Sequence, residues 1–473
     1  MFRKENLVFF FGIFIVIILL LISQFSVYSQ GFYSIGADEA GHTLEAFQWY
    51  KGQASVFSIW LPFQKIFYGI SFNIYYDLFW VPRILSSFFG ILTLLSLIFL
   101  TYELFQNRIV SLIAGFLASI YYCLVIFSII PMIEIYFFFF VITSIAFFLH
   151  WKRTNHSVSL LLTIIFLIIG TTTRYEAWIF SFSLFILIIV DIFSINGELP
   201  GKIFKTIGLF IAIFSFPMLW IYLSHNATGE STKFFYSVVE RYSPGGIIAE
   251  FKNNVLYNFL ITNIFSLNIL GIITLIFFYN KKIEIKVYAL IFLSTLLVFS
   301  IVTFITKAMP TQNSWRIASI WSIMLLPFTA QWLYLLLSDK NIYLKYNFII
   351  FVLILIYFFT RQTLDFSKTS YMNREDLVIG RFIHNELNLK NPASRIFIEQ
   401  NGWKYSSLLV TSQMPDRFII KEGFYNQNEL IKNYKKYNVE YLILKPGTQL
   451  VINSEDLKEV KKYHDWIIYK LPL

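Results

Sequence analysis

Two carboxylates stand side by side at Asp38 and Glu39, and an imidazole follows at His42. Adjacent carboxylates repel, so one can carry a raised pKa and act as a base while the other holds substrate. The Asp–His spacing of i, i+4 also suits a metal on a helix, although no second histidine lies near. The plain alternative is a solvated acidic helix start with Asp38 near the N-cap. Arg83 follows Pro82 at the start of an apolar run, where a guanidinium either meets a lipid phosphate or anchors at the interface. Glu134 is the single charge in the turn Pro131-Met132-Ile133-Glu134. An unpaired carboxylate there is costly, so it faces a polar cavity or a cation. Arg174 and Glu176 flank Tyr175, and they either join other cavity charges or close a helix junction as a structural pair. Lys307 and Arg316 sit on a later connection beside Asn313, where they snorkel or bind an anion.

These groups are informative because of what surrounds them. The chain has 473 residues, of which 57% are hydrophobic and 14% charged, with 54 Phe and 29 Tyr. A soluble domain carries about 25% charged residues. Collagen, coiled coil, disordered tail and small disulfide scaffold are excluded, and a polytopic α-helical membrane protein remains. The lone cysteine, Cys123, rules out an intrachain disulfide or a cysteine-based zinc site. The net charge of +10 is scattered between apolar runs, so it sets orientation and does not indicate nucleic acid.

A spanning helix needs about 20 mostly apolar residues. Stretches that qualify are 7–27, 80–101, 109–128, 132–150, 158–173, 177–195, 203–223, 261–279, 286–305, 316–337 and 346–360, about eleven in all. The first is too long for a signal peptide core and lacks a cleavage site, so it reads as a retained anchor. One set of connections carries twelve Lys and Arg, from Arg3 and Lys4 to Lys340 and Lys345. That side is expected to be cytoplasmic, with the N-terminus inside and the C-terminus outside. All the chemistry-bearing groups then lie on the extracytoplasmic face, in or near the long stretches 28–79 and 224–260 and the shorter turns. Ionisable residues in such places are functional hypotheses by default.

Residues 361–473 hold 17 Lys+Arg and 13 Asp+Glu, against 21 and 15 in residues 1–360. The change marks a second domain, a small soluble α/β unit on the outer face. Residues 374–387 read as an amphipathic helix, 395–399, 440–444 and 464–471 as strands, and 428–437 as a helix. No internal repeat is evident.

Taken in order, the Asp38-Glu39 pair, Trp60-Leu61-Pro62, the run from Arg83 through Ser86, Ser87 and Gly90, Pro131-x-x-Glu134 and Thr173-Arg174-Tyr175-Glu176 form a recognisable set. Across residues 1–360 the chain resembles the C-type (GT-C) membrane glycosyltransferases, and within them the protein O-mannosyltransferase and lipid A aminoarabinose transferase group. The resemblance implies transfer of a sugar from a polyprenyl-phosphate carrier to an acceptor outside the cytoplasm, with inversion. Asp38 would be the base, and Glu39 would orient the acceptor or support Arg83. Arg83 heads an approximate Arg-x-x-Ser-x-x-x-Gly match and would lie near the phosphate. Glu134 matches the acidic residue of the second outer turn. Arg174, Lys307 and Arg316 would hold the phosphate, with His42, Tyr175 and Glu176 in support.

The chemistry is self-consistent. A departing phosphate develops charge that fixed cations stabilise, and it needs no general acid. One base and a cationic cradle suffice, so no cofactor is required. A divalent cation remains an option, because oligosaccharyltransferases of the wider superfamily use one. The acceptor is open among lipid, glycan and protein. Lys-, Asn-, Ile- and Phe-rich usage points to an AT-rich prokaryotic genome, and with the resemblance this implies a plasma-membrane enzyme of the cell envelope. A transporter or flippase of lipid-linked sugars would use the same cations, but is expected to show broken helices and charges on both faces. A non-catalytic assembly partner would tolerate loss of Asp38.

Overall fold

The computed structural model describes residues 4–194, 198–231, 252, 254–266, 268–306, 314–372, 374–387, 393–398, 405–419, 436–444, 457–463 and 466–471. Helix α1 (Lys4–Ser29) leads to two short helices, α2 (Asp38–Tyr50) and α3 (Phe63–Ile74). The bundle continues with α4 (Trp80–Phe105), α5 (Arg108–Ile120), α6 (Tyr122–Phe127), α7 (Glu134–Thr154), α8 (Ser157–Thr171), α9 (Glu176–Ser194) and α10 (Leu199–Thr228). It closes with α11 (Val255–Phe265), α12 (Ile269–Phe278), α13 (Ile283–Thr306), α14 (Ser314–Met324), α15 (Leu326–Ser338) and α16 (Ile342–Ser367).

Among the described residues, seven helices are long and apolar enough to cross a membrane, or up to nine if each of two bent pairs is one span. The chain is a multi-pass integral membrane protein. The bent pairs are α11 with α12, at 101°, and α14 with α15, at 41°. Helices α5 and α8 are apolar but shorter. The stretch expected as one span over 109–128 breaks at Tyr121, whose extended backbone (φ −71°, ψ 120°) separates α5 from α6.

Local chemistry sets the ends. Gln106 (φ 52°) and Asn155 (φ 56°) stop α4 and α7 in the left-handed conformation. The Asn107 side chain then caps α5, accepting from the amides of Ile109 and Val110. Among the seven long apolar helices α7 is the most enclosed, packed between α4 and α8. Bulky rings fill its first half, with Phe89 and Tyr136 only 4.6 Å apart.

The C-terminal unit is a five-stranded mixed sheet in the order β2-β1-β3-β5-β4. Its strands are β1 (Arg395–Ile398), β2 (Phe418–Ile419), β3 (Val439–Leu444), β4 (Lys458–Tyr463) and β5 (Trp466–Lys470). Central β3 is buried throughout. Helices α17 (Arg374–Glu386) and α18 (Tyr405–Thr411) share an apolar cluster with the sheet. The helix and the strands expected near 374, 395, 440 and 464 are present, and most of the helix expected at 428–437 lies outside the described residues. Strand β4 was not foreseen, because its sequence, Lys-Glu-Val-Lys-Lys-Tyr, lacks apolar alternation. Lysines are what a solvent-facing edge strand uses to discourage pairing with another chain.

This unit docks on the same end of the bundle as α2 and α3. The amides of Tyr371 and Met372 donate to Ser34, and Gln413 joins the segment before α4.

Candidate active site

The chain enters α2 through Gly36 and Ala37, and no side chain caps this helix start. Asp38 therefore does not serve its own helix and turns to Arg316, whose Nη1 donates to Oδ2 at 3.0 Å. The Nε of Arg316 donates to Oε1 of Glu134 at 2.9 Å, and its Nη2 lies 2.7 Å from the same oxygen. Arg174 donates to that oxygen from Nη1 at 2.8 Å, then grips Glu176 through Nε and Nη2 at 3.1 and 2.7 Å. Five residues from four separate parts of the chain thus form one series: Asp38, Arg316, Glu134, Arg174, Glu176.

Local contacts explain the placement. Gln64 on α3 donates to the carbonyl of Pro131, and so holds the turn that carries Glu134. Tyr68 and Tyr136 bond each other beside it. The amide of Phe63 donates to Thr172, and the hydroxyl of Tyr175 to Ile59, which tie the Arg174 turn to the segment before α3. Leu61 packs on Trp220, and the Tyr175 and Trp178 rings join the same cluster. Tyr175 is thus a scaffold residue in this arrangement. Trp60 covers His42 at 4.2 Å between ring centroids.

Burial divides the series. The side chains of Glu134, Arg316 and Arg174 are 1%, 7% and 10% exposed, whereas Asp38 is 44% exposed. Burial acts to raise the Asp38 pKa, but Arg316, with His42 and Arg174 beside it, outweighs burial and holds the carboxyl below its usual range. The carboxyl of the pair that is raised is its neighbour. Burial lifts Glu39 to about 7 against the amide of Ile35, which donates to it. Burial lowers His42 to about 4, against the pull of Asp38 and Glu134, so its ring is neutral at pH 7.

The cluster differs from the cationic cradle expected from sequence. Its two guanidiniums face three carboxylates, and both are already ion-paired. Arg83 is not part of it. That guanidinium donates to the carbonyls of Phe79 and Tyr33 and lies 3.8 Å from the Phe79 ring. Its Nε has no hydrogen-bond partner. Arg83 and Glu39 instead line a cavity of about 10 Å³, room for one water, closed by Met372, Ser407 and Val410 of the C-terminal unit.

The rest of the Arg83 motif serves packing. Ser87 donates to Gln24, Gln24 donates to Ser128, and a Cβ on Gly90 would come within 2.4 Å of the Ser128 Cβ. Lys307 lies outside the described residues. Two buried groups were not singled out from sequence. Lys65 is ion-paired with Glu45 at 3.0 Å beneath the loop after α2. At the opposite end of the bundle, buried Glu103 pairs with Arg153 and with His150. A lysine in the first turn of an amphipathic helix and a glutamate inside a span were the available signals. Among the described residues, no group of three or more His, Cys, Asp or Glu is arranged to hold a metal ion.

In fold the chain is of the GT-C kind. It is similar to two crystal structures of ArnT from Cupriavidus metallidurans, one apo and one bound to undecaprenyl phosphate. Both have TM-scores of 0.64 and cover 99% of this chain and 98% of theirs, at 11% and 10% identity. An Archaeoglobus fulgidus oligosaccharyltransferase, in complex with zinc and sulfate, is similar at a TM-score of 0.49 and 13% identity, over 90% of this chain and 68% of its own. No protein-family model and no curated protein matches the chain in sequence.

Proposed function

We propose that this protein is a membrane glycosyltransferase that moves a sugar from a polyprenyl-phosphate carrier to a lipid, glycan or protein acceptor on the extracytoplasmic face. The observation that carries the reading is the solvent-facing carboxylate of Asp38, joined through one guanidinium to a buried Arg–Glu cluster. The bundle, residues 1–360, would hold the site, and residues 361–473 would form the extracytoplasmic unit above it. The N-terminus would be cytoplasmic.

In the reaction, the acceptor hydroxyl proton passes to the Asp38 carboxylate. The acceptor oxygen bonds to the anomeric carbon from the face opposite the phosphate, which inverts that centre. The bond from that carbon to the phosphate oxygen breaks, and its electron pair stays on the phosphate. Arg316 and Arg174 lie where they can meet that growing charge, and fixed donors in a desolvated site are effective at this. Glu134 orients both guanidiniums. Glu39 accepts from the amides of Ile35 and Gly36 and so fixes the loop that delivers Asp38. No step calls for a metal.

A second reading has support of its own. The two bent helix pairs are the discontinuous helices expected of a transporter of lipid-linked sugars, and Glu103 with Arg153 supplies charge at the opposite end. Purified protein in nanodiscs, given radiolabelled polyprenyl-phosphate sugars, separates the two. Sugar release or transfer that is lost in Asp38→Asn, with carrier binding kept, supports the transferase with Asp38 as base. Equal turnover in Asp38→Asn removes that assignment and moves Glu39 or Glu134 forward. Carrier crossing a liposome bilayer without sugar transfer supports the transporter.

A further inference from the structure

Every cation that the described part of the cluster offers to a phosphate is already engaged, and the cluster carries one more carboxylate than guanidinium. A phosphate entering beside these carboxylates is repelled by them, and exchange for one of them relieves that repulsion. The geometry points to which one. Arg316 is held to Glu134 through Nε and Nη2, and only its Nη1 reaches Asp38. Glu134 is enclosed, whereas Asp38 is 44% exposed and open to water. Glu176 is also enclosed, with a side-chain exposure of 3%, and meets Arg174 through two nitrogens. The single contact between Arg316 and Asp38 is therefore the weakest link.

We propose that the carrier phosphate displaces Asp38 from Nη1 of Arg316, so that binding of the donor releases the catalytic base. The proposal rests on the transferase reading above and adds an order to it. The guanidinium need not move, because its other two nitrogens stay on Glu134. Before exchange, Asp38 is a poor base, since its negative charge is stabilised by Arg316. After exchange it faces a phosphate in place of a guanidinium, which favours proton uptake. The acceptor is thus deprotonated only when a donor is seated, and an empty site does not hold a free base. His42, Arg174 and Glu39 also act on Asp38, but none of them trades partners in this step.

The test is binding of undecaprenyl phosphate, without its sugar, to the full chain in nanodiscs. Removing the competing carboxylate should tighten binding, so Asp38→Asn should bind about fivefold tighter than wild type, the scale of one partly exposed ion pair. In an Arg316→Gln background the same Asp38→Asn change should alter binding by less than about twofold, within the scatter of independent sites. If the gain persists without Arg316, simple charge repulsion explains it and the exchange is overturned. If wild type and Asp38→Asn bind equally, the exchange is overturned while the donor class stands. If neither binds undecaprenyl phosphate, the transferase reading itself fails, and the inference with it. Should Arg316→Gln not fold, Arg316→Lys replaces it, because a lysine cannot serve Glu134 and Asp38 through separate nitrogens.

Discussion

Replacing Glu134 by Gln keeps the shape of the side chain and removes one charge from the centre of the cluster. The Glu134 Oε1 receives three guanidinium nitrogens, at 2.7, 2.8 and 2.9 Å, and its side chain is 1% exposed. An amide oxygen still accepts hydrogen bonds, but it no longer balances Arg316, whose other carboxylate partner among the described residues is the exposed Asp38. Breaking a buried pair from one side costs about 3–5 kcal/mol, most of it the burden of the unbalanced charge. We expect about 3 kcal/mol here, since part of the hydrogen bonding survives. Glu176→Gln should cost roughly half of that, because Arg174 retains Glu134. Asp38→Asn should cost less than about 1 kcal/mol, because its carboxylate is partly exposed and screened. The measurement is reversible unfolding in mixed micelles by SDS titration, followed by tryptophan fluorescence, with the three variants in one series. The order is the critical result. A Glu134→Gln protein as stable as wild type, or more stable than Asp38→Asn, would refute the claim that Glu134 holds the cluster together.

The pKa shifts of Glu39 and His42 make opposite contributions to stability. With a folded value of about 7, Glu39 favours the fold below its unfolded value near 4.5, and that contribution falls by about 3 kcal/mol as pH rises to 7. With a folded value of about 4, His42 has its full contribution above its unfolded value near 6.5 and loses it as pH falls to 4. The two largely cancel between about pH 4.5 and 6.5, so Glu39→Gln should leave a protein that loses stability on acidification, and His42→Phe one that gains it; stability against pH checks both. Gly90→Ala should destabilise by about 1–3 kcal/mol, because the new methyl meets Ser128 and α4 must shift; unfolding midpoints check this. Gln413→Ala removes the side-chain bonds to the amide of Leu78 and to Asp77, and should speed proteolysis within 405–419 while the bundle resists.

The membrane spans were legible because hydrophobic length is a property of local sequence, and most stretches fall on a helix of the structure. Breaks inside them were harder to read. Tyr121 carries no proline or glycine signal, and its ring packs on Phe359, far along the chain. Four of the five charge groups flagged from sequence meet at one end of the bundle, because each lies beside a span whose other end faces away. Arg83 fits that rule too, yet belongs to a different pocket. Spacing fixes the end of a helix on which a charge sits, but not the direction in which it turns. That direction is set by partners far along the chain, such as Tyr33, 50 positions away, for Arg83 and residues 182 and 278 positions away for Arg316. For the same reason the sequence leaves open which carboxylate of the Asp38-Glu39 pair carries the raised pKa. Repulsion between neighbours says that one of them rises, and only burial says which. It selects Glu39, enclosed by the C-terminal unit, and leaves Asp38 at the surface with Arg316. If Asp38 is the base, its readiness therefore depends on who else claims that arginine, a dependence that residue types and spacing do not encode.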